Sequence, residues 1–130
     1  MKKNKLAQVS FEKLSELENV SVIENFIVGD STQVPRNMFN NHPMVFNGLI
    51  LGICLKGSAK VKINFREYEL SPNTIFTILP SEIFESLGGS DDFFSEVLVF
   101  SIDFFIGLPL PEDFDILQNI SNRPVFRISE

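Results

Sequence analysis

The chain has 130 residues, of which 44% are hydrophobic and 22% charged. This length and balance suit one globular domain with a single core, and they exclude a disordered chain. The formal net charge is −6, and residues 81–130 carry two Lys/Arg against ten Asp/Glu. Because duplex binding depends on neutralising phosphates with positive charge, this distribution argues against a DNA-binding surface.

The single cysteine, Cys54, excludes an internal disulfide and fits a reducing compartment. The N-terminal segment has a basic start but no apolar core of signal-peptide length. The most apolar segment, MVFNGLILGICL, is about half as long as a membrane-spanning helix. We therefore expect a soluble, cytoplasmic protein with no membrane partner.

The first predicted elements are a short helix and a strand. In residues 10–19, Phe11, Leu14 and Leu17 recur at a spacing of three, and Ser10 is a candidate N-cap, which predicts a short amphipathic helix. The segment VSVIENFIV predicts one strand that ends at the turn GDS. The following segment, TQVPRNMFNNHP, is rich in Asn and Pro, which indicates a loop.

The middle of the chain predicts further strands separated by turns. FNGLILGICLKG is a continuous apolar run with glycine boundaries and predicts a buried strand. KVKINFREYEL alternates with a period of two and predicts a hairpin that turns near residues 64–66. TIFTIL, EIFESL and FFSEVLVFSI follow as strands, with Pro80 ending the first. Six to eight short strands predict an all-β sandwich or barrel.

The last part of the chain differs in character from the strands before it. After Ile102 it contains three prolines, and Asp113 is placed to cap a short helix over residues 115–120. This pattern predicts a small helical cap.

The candidate catalytic groups are few. His42 is the only histidine, whereas zinc and non-haem iron sites need two or three convergent ligands. Cys54 lies in an apolar strand, where a thiol is usually inert. None of the glycine-containing segments has the spacing of a phosphate-binding loop. We therefore expect no metal, no cofactor and no enzymatic activity.

The hairpin offers two polar candidates for ligand binding. Arg66 and Tyr68 are two residues apart and share one face of a regular strand. An arginine fork can hold a carboxylate or sugar hydroxyls, and a tyrosine can stack and donate a hydrogen bond. An exposed turn residue for Arg66 and a packing residue at the barrel rim for Tyr68 are the alternatives.

The segment GLILGICLKGSAKVKINFREYELSPNTIFTILPSEIFES resembles the N-terminal sensor barrel of AraC-type transcription regulators. The later segment SEVLVFSIDFF resembles the strand and the start of the cap that follow there, so the resemblance covers about residues 48–105. It implies a mainly β, cupin-like double-stranded β-barrel, or jelly roll. The implied boundaries are an arm with a short helix over 1–19, the barrel over 20–103, and a cap and linker over 104–130.

The resemblance also implies a function. Enzymatic cupins carry a His-x-His pair where this chain has KGSAKVKI, and a further histidine where it has Phe84. The barrel is therefore expected to bind an effector, a carbohydrate or other metabolite, or to form a homodimer, or both. The candidate ligand-binding residues are Tyr68, Arg66, Phe84 and Phe76. The family's helix-turn-helix units enter DNA, and residues after Phe105 are too few to form them, so we expect the sensor portion of a longer regulator.

Two other hypotheses stay open at this point. The chain could be a stand-alone, metal-free cupin that binds or isomerises a small molecule such as a sugar, using Arg66, Tyr68 and Glu69. It could instead be a structural oligomerisation barrel with exposed phenylalanines at its interface; the candidates are Phe93, Phe94 and Phe104.

Overall fold

The computed structural model describes residues 7–33, 42–103 and 122–128. In these ranges the first elements are β1 (Ala7–Val9), α1 (Phe11–Ser15), β2 (Ser21–Ile23), β3 (Phe26–Asp30), a 3-10 turn (Ser31–Gln33), β4 (Met44–Phe46) and β5 (Gly48–Lys56). The remaining elements are β6 (Ala59–Ile63), β7 (Arg66–Leu70), β8 (Thr74–Ile78), β9 (Ile83–Gly89), β10 (Phe94–Ser101) and β11 (Val125–Arg127).

The strands form two sheets that share one hydrophobic core. One sheet has the order β1-β4-β9-β6-β7, and the other has the order β11-β8-β5-β10-β3-β2. Only β1 and β4 pair in parallel; the other strand pairs in the described ranges are antiparallel. The predicted mainly β, jelly-roll architecture is confirmed. Within the described ranges, no helix is long and apolar enough to cross a membrane.

The strand β5 lies in the middle of the six-stranded sheet, between β8 and β10. Its residues alternate between buried and half-buried from Gly48 to Cys54, so one side of the strand faces the core. The predicted buried strand is confirmed. Its glycines admit aromatic rings: a Cβ atom at Gly52 would lie 2.2 Å from the ring of Phe76, and one at Gly48 would lie 2.5 Å from the ring of Phe46.

The predicted hairpin is formed by β6 and β7. Asn64 and Phe65 make the connection with φ angles of 50° and 72°, the conformation of a two-residue type I′ turn. The Asn64 side chain accepts a hydrogen bond from the Ile83 amide at 3.0 Å and donates one to Glu82 at 3.2 Å. The other oxygen of the buried Glu82 carboxyl group accepts from the Leu79 amide at 2.8 Å. This network ties the β6–β7 turn to the β8–β9 turn.

Type II turns stand at both ends of β8. In each turn a proline occupies the second position and a residue with positive φ, Asn73 at 71° or Ser81 at 71°, occupies the third. The closing hydrogen bonds run from Thr74 to Ser71 at 3.0 Å and from Glu82 to Leu79 at 3.1 Å. The prolines and the small polar residues after them, which predicted where β8 begins and ends, therefore form the turns at its two ends.

The helix α1 begins where the sequence predicts it. The Ser10 side chain accepts a hydrogen bond from the Lys13 amide at 3.1 Å, so Ser10 is the N-cap, as predicted. The helix ends at Ser15, four residues before the end of the predicted segment. Residues beyond it turn instead, and Asn19 has a φ angle of 68°.

The prediction of one strand over VSVIENFIV is wrong. The segment is a hairpin of β2 and β3, because Glu24 has a φ angle of 48° and the chain reverses at Glu24–Asn25. The strands β1 and β11 have three residues each and were not predicted, since no alternation can be recognised over so short a length. The predicted helix over 115–120 lies outside the described residues, as do the first six residues of the predicted arm.

We predict that Gly57→Ala destabilises the domain much more than Gly88→Ala. Both positions have positive φ, 70° and 106°, so each alanine should cost about 1–3 kcal/mol of backbone strain. At Gly57 the new Cβ atom would also lie 2.5 Å from Ser90 Oγ and 2.8 Å from Phe93 Cα, whereas nothing lies within 4 Å at Gly88. Overpacking should add about 1–3 kcal/mol at Gly57 alone. Urea unfolding of both variants checks this, and equal losses would contradict it.

Candidate functional site

The two sheets enclose a cavity of about 550 Å³. Both sheets contribute to its wall, and so do α1 and the connections at one end of the barrel. Its depth can be divided into three levels by the strand register. The base lies at the end where the β8–β9 and β6–β7 turns close the barrel, and the mouth lies at the opposite end.

The base layer of the cavity is entirely apolar. Antiparallel pairing places Val99 opposite both Ile27 and Ile50, and Ile50 opposite Ile78. Phe84 joins them from the other sheet, because β9 begins directly after the turn that follows β8. The base layer is therefore Ile27, Ile50, Ile78, Phe84 and Val99. These five side chains are each at most 9% exposed.

The middle layer is apolar except for one hydroxyl group among the described lining residues. It consists of Gly29, Val61, Phe76, Ser86 and Val97. Val97 stands opposite Gly52, and the Phe76 ring lies over Gly52 from the neighbouring strand. Ser86 stands opposite Val61 in the other sheet. The glycine at 52 therefore lets an aromatic ring lie against the strand and form part of the wall.

The mouth of the cavity is polar. Its described lining residues lie near the ends of β3, β7 and β9 and near the starts of β6 and β10. They are Asp30, Ser31, Thr32, Ala59, Lys60, Leu70, Gly88, Gly89, Ser90, Asp91, Phe93 and Ser95. The connections here are tied together: Ser58 donates its amide to Ser90 Oγ at 3.0 Å, and Ser90 Oγ donates to Asp92 at 2.7 Å. The Ser95 amide donates to Ser31 Oγ at 3.0 Å.

The segment around α1 covers part of the cavity. Leu14, Leu17 and Val20 line it, and Leu14 is only 6% exposed. The spacing of three that predicted an amphipathic helix thus places apolar side chains of α1 and the turn after it against the cavity. The N-terminal segment is part of the site.

The four residues predicted to bind a ligand fall into two places. Phe76 and Phe84 line the cavity, in the middle and base layers. Arg66 and Tyr68 line a separate pocket of about 160 Å³ beside the β6–β7 turn, together with Ile63, Asn64, Asn122 and Pro124. Arg66 is exposed and Tyr68 is half-buried against the core. The structure therefore does not bring all four together.

Several lining residues were not singled out from the sequence. Val97, Val99 and Ser95 line the cavity because they alternate along β10 with side chains on the outer face. The period-two pattern of SEVLVFS carries this signal, but it does not say which of the two faces is inside. Ser86 lines the cavity from β9 and was not singled out for the same reason: the sequence does not say which face of that strand is inside.

Two of the three phenylalanines proposed for an oligomer interface, Phe93 and Phe94, are half-buried rather than exposed. Phe93 lines the cavity mouth and packs against the core, and Phe94 is half-buried. The prediction that these two residues are exposed is wrong, because the turn at residues 90–93 folds against the barrel end. Phe104 lies outside the described residues.

The two residues weighed for nucleophilic catalysis, Cys54 and His42, differ in their exposure to solvent. Cys54 is fully buried, and burial raises the pKa of its thiol. A hydrogen bond with the Lys56 backbone lowers this pKa by less, and the nearby Asp92 charge raises it further. His42 is exposed. In the described parts of the chain, no three His, Cys, Asp or Glu side chains are grouped to hold a metal ion.

The fold and the cavity define a cupin-like barrel with an internal binding space. The family model described as AraC-like ligand binding domain matches residues 31–100. The match covers more than half of the chain, and the chain belongs to this family. A search of curated proteins finds no significant match.

The chain is also similar to two solved structures. The plu4264 protein from Photorhabdus luminescens is 11% identical, with a TM-score of 0.40, over 68% of this chain and 88% of that chain. Vicilin from Solanum lycopersicum (tomato) is 16% identical, with a TM-score of 0.44, over 81% of this chain and 38% of that chain.

We predict that Cys54 makes stability fall at alkaline pH. Because its pKa is raised in the folded state, the unfolded chain loses this proton first as pH increases through about 8.5. The stabilisation is complete below that value and is lost as pH rises through the folded-state pKa. Urea unfolding at pH 7 to 10 should show a smaller decline for Cys54→Ser than for the parent chain. Equal slopes would contradict this.

Proposed function

We propose that this chain is the effector-binding domain of an AraC-type transcription regulator, with one small molecule bound between its two sheets. The observation that carries the proposal is the 550 Å³ cavity in a member of a ligand-binding-domain family. Its volume falls in the range of about 300–1,000 Å³ that is usual for small-molecule sites. In such a regulator, helix-turn-helix units contact DNA and this domain supplies the response to the effector. A homodimer stays a prediction.

A signal from this site would pass through α1. A ligand in the cavity would touch Leu14 and Leu17, and it would transmit a signal by stabilising one packing of the N-terminal segment over another. Only a difference in affinity between the two packings can shift their populations. The helix has five residues, which makes its position depend on packing rather than on its own stability.

Binding is favoured over catalysis by the position of the polar groups. General acid–base chemistry needs groups within hydrogen-bonding distance of the reacting atoms. The described lining of the two deeper layers offers only Ser86, and the charged groups Asp30, Lys60 and Asp91 stand at the mouth. The set proposed for an isomerase does not face the cavity: Glu69 is exposed, and Arg66 and Tyr68 line the other pocket.

The proposal predicts that a metabolite stabilises the chain through the main cavity. A library of sugars, organic acids, alcohols and aromatic compounds should contain at least one that raises the thermal midpoint. At about 100 times its dissociation constant the ligand adds about 2.7 kcal/mol, an increase of several degrees. The stabilisation should weaken in Phe76→Leu.

The double variant Arg66→Ala, Tyr68→Phe is the matched control, because both residues lie in the other pocket. It should keep the ligand response of the parent chain. If no compound stabilises the chain, effector binding by this domain is contradicted. If the response is lost in the control and kept in Phe76→Leu, the binding site is the smaller pocket.

A further inference from the structure

We infer that the ligand is an amphipathic molecule with an apolar body and one polar end that carries no negative charge. The apolar body occupies the base and middle layers, and the polar end stays at the mouth. This inference rests on the proposed function and gives the chemical class of the effector. Of the two classes expected from the sequence, a carbohydrate or another metabolite, it favours the second.

The described residues of the base and middle layers offer almost no hydrogen-bonding partners to a polar ligand. Among the described residues, the base layer has no hydrogen-bonding side chain, and the middle layer has only Ser86. A sugar placed there would leave most of its hydroxyl groups without water and without protein partners, which is strongly unfavourable. Phe76 and Phe84 offer aromatic surface instead, and such surface favours an alkyl chain or an aromatic ring.

The second step is the change in chemistry along the cavity. The strand β10 passes through all three levels, with Val99 in the base layer, Val97 in the middle layer and Ser95 at the mouth. Four residues of strand separate the first from the last, a distance of about 13 Å. A medium-length alkyl chain fits this depth and ends among the hydroxyl groups of Ser31, Ser90 and Ser95.

The third step is the charge at the mouth. Among the described lining residues, two carboxylates, Asp30 and Asp91, stand beside one basic side chain, that of Lys60, and Asp92 follows Asp91 in the same turn. The whole chain carries a formal net charge of −6. A carboxylate or phosphate at the end of the ligand would meet an excess of negative charge, whereas a hydroxyl or an ammonium group would not.

A series of ligands that share one alkyl chain tests the inference. Calorimetric titration of the 130-residue chain at pH 7 would use 1-octanol, octylamine, octanoate and glucose. We expect 1-octanol and octylamine to bind, octanoate to bind about tenfold more weakly, and glucose not to bind. If octanoate binds as tightly as 1-octanol, the inference that the polar end carries no negative charge is overturned.

Substitutions on the two faces of β10 test the location. Val97→Phe fills the middle layer and should weaken 1-octanol binding about tenfold or more, because the alkyl chain and the new ring compete for one space. Leu98→Phe adds a similar ring on the opposite face of the same strand and should leave binding unchanged. Ser86→Phe narrows the same layer from the other sheet, which keeps the test valid if Val97→Phe does not fold.

The outcomes separate this inference from the proposed function. Binding of 1-octanol that is lost in Val97→Phe or Ser86→Phe and kept in Leu98→Phe supports both. If 1-octanol does not bind but a sugar stabilises the chain in a Val97-dependent way, the ligand class is wrong and the proposed function stands. If 1-octanol binds equally to all variants, it binds outside the cavity, and the inference is overturned. If no compound of any class binds, both fail.

Discussion

The contact between Phe76 and Gly52 is the constraint on which the cavity depends. The six-stranded sheet must remain continuous through β5, because that strand pairs on both sides. A side chain at position 52 would occupy the place of the Phe76 ring. Glycine there leaves the hydrogen-bonded ladder intact while the Phe76 ring covers the strand. The Phe76 ring therefore forms the cavity wall at the place that a side chain at position 52 would have occupied.

The two ends of the barrel are held by different chemistry. At the base, the Asn64 side chain and the buried carboxyl group of Glu82 connect two turns through hydrogen bonds to backbone amides. At the mouth, Ser58, Ser90 and Asp92 form a chain of hydrogen bonds close to solvent. The base network closes the barrel, whereas the mouth network leaves hydroxyl and carboxylate groups beside the opening. The residues that close the base of the barrel are therefore different from the polar residues beside the opening.

The sequence predicts much of this fold, and the reasons lie in local patterns. The period of two in KVKINFREYEL specified a hairpin, and Ser10 specified the start of α1, because both signals act over a few residues. The break at Glu24 was missed since a positive φ at a glutamate has no signal in residue type. The sequence also placed Phe76 and Phe84 among the candidates together with Arg66 and Tyr68. Separating the two pairs requires knowledge of how the sheets face each other, which no strand pattern contains.

The difference between the interactions that hold the base of the barrel and those that hold α1 has a consequence for local motions. Local openings cost less free energy where few side chains are buried and few backbone hydrogen bonds are protected. The helix α1 is one turn and a half long and rests on the cavity through Leu14 and its neighbours. The turns at the base are held by a buried carboxyl group and by backbone pairing. We therefore expect amide protons near α1 to exchange through local openings, and those of β5 and β8 to exchange only when the whole domain unfolds. If the faster local openings uncover the cavity beside α1, a molecule would enter it without unfolding of the barrel.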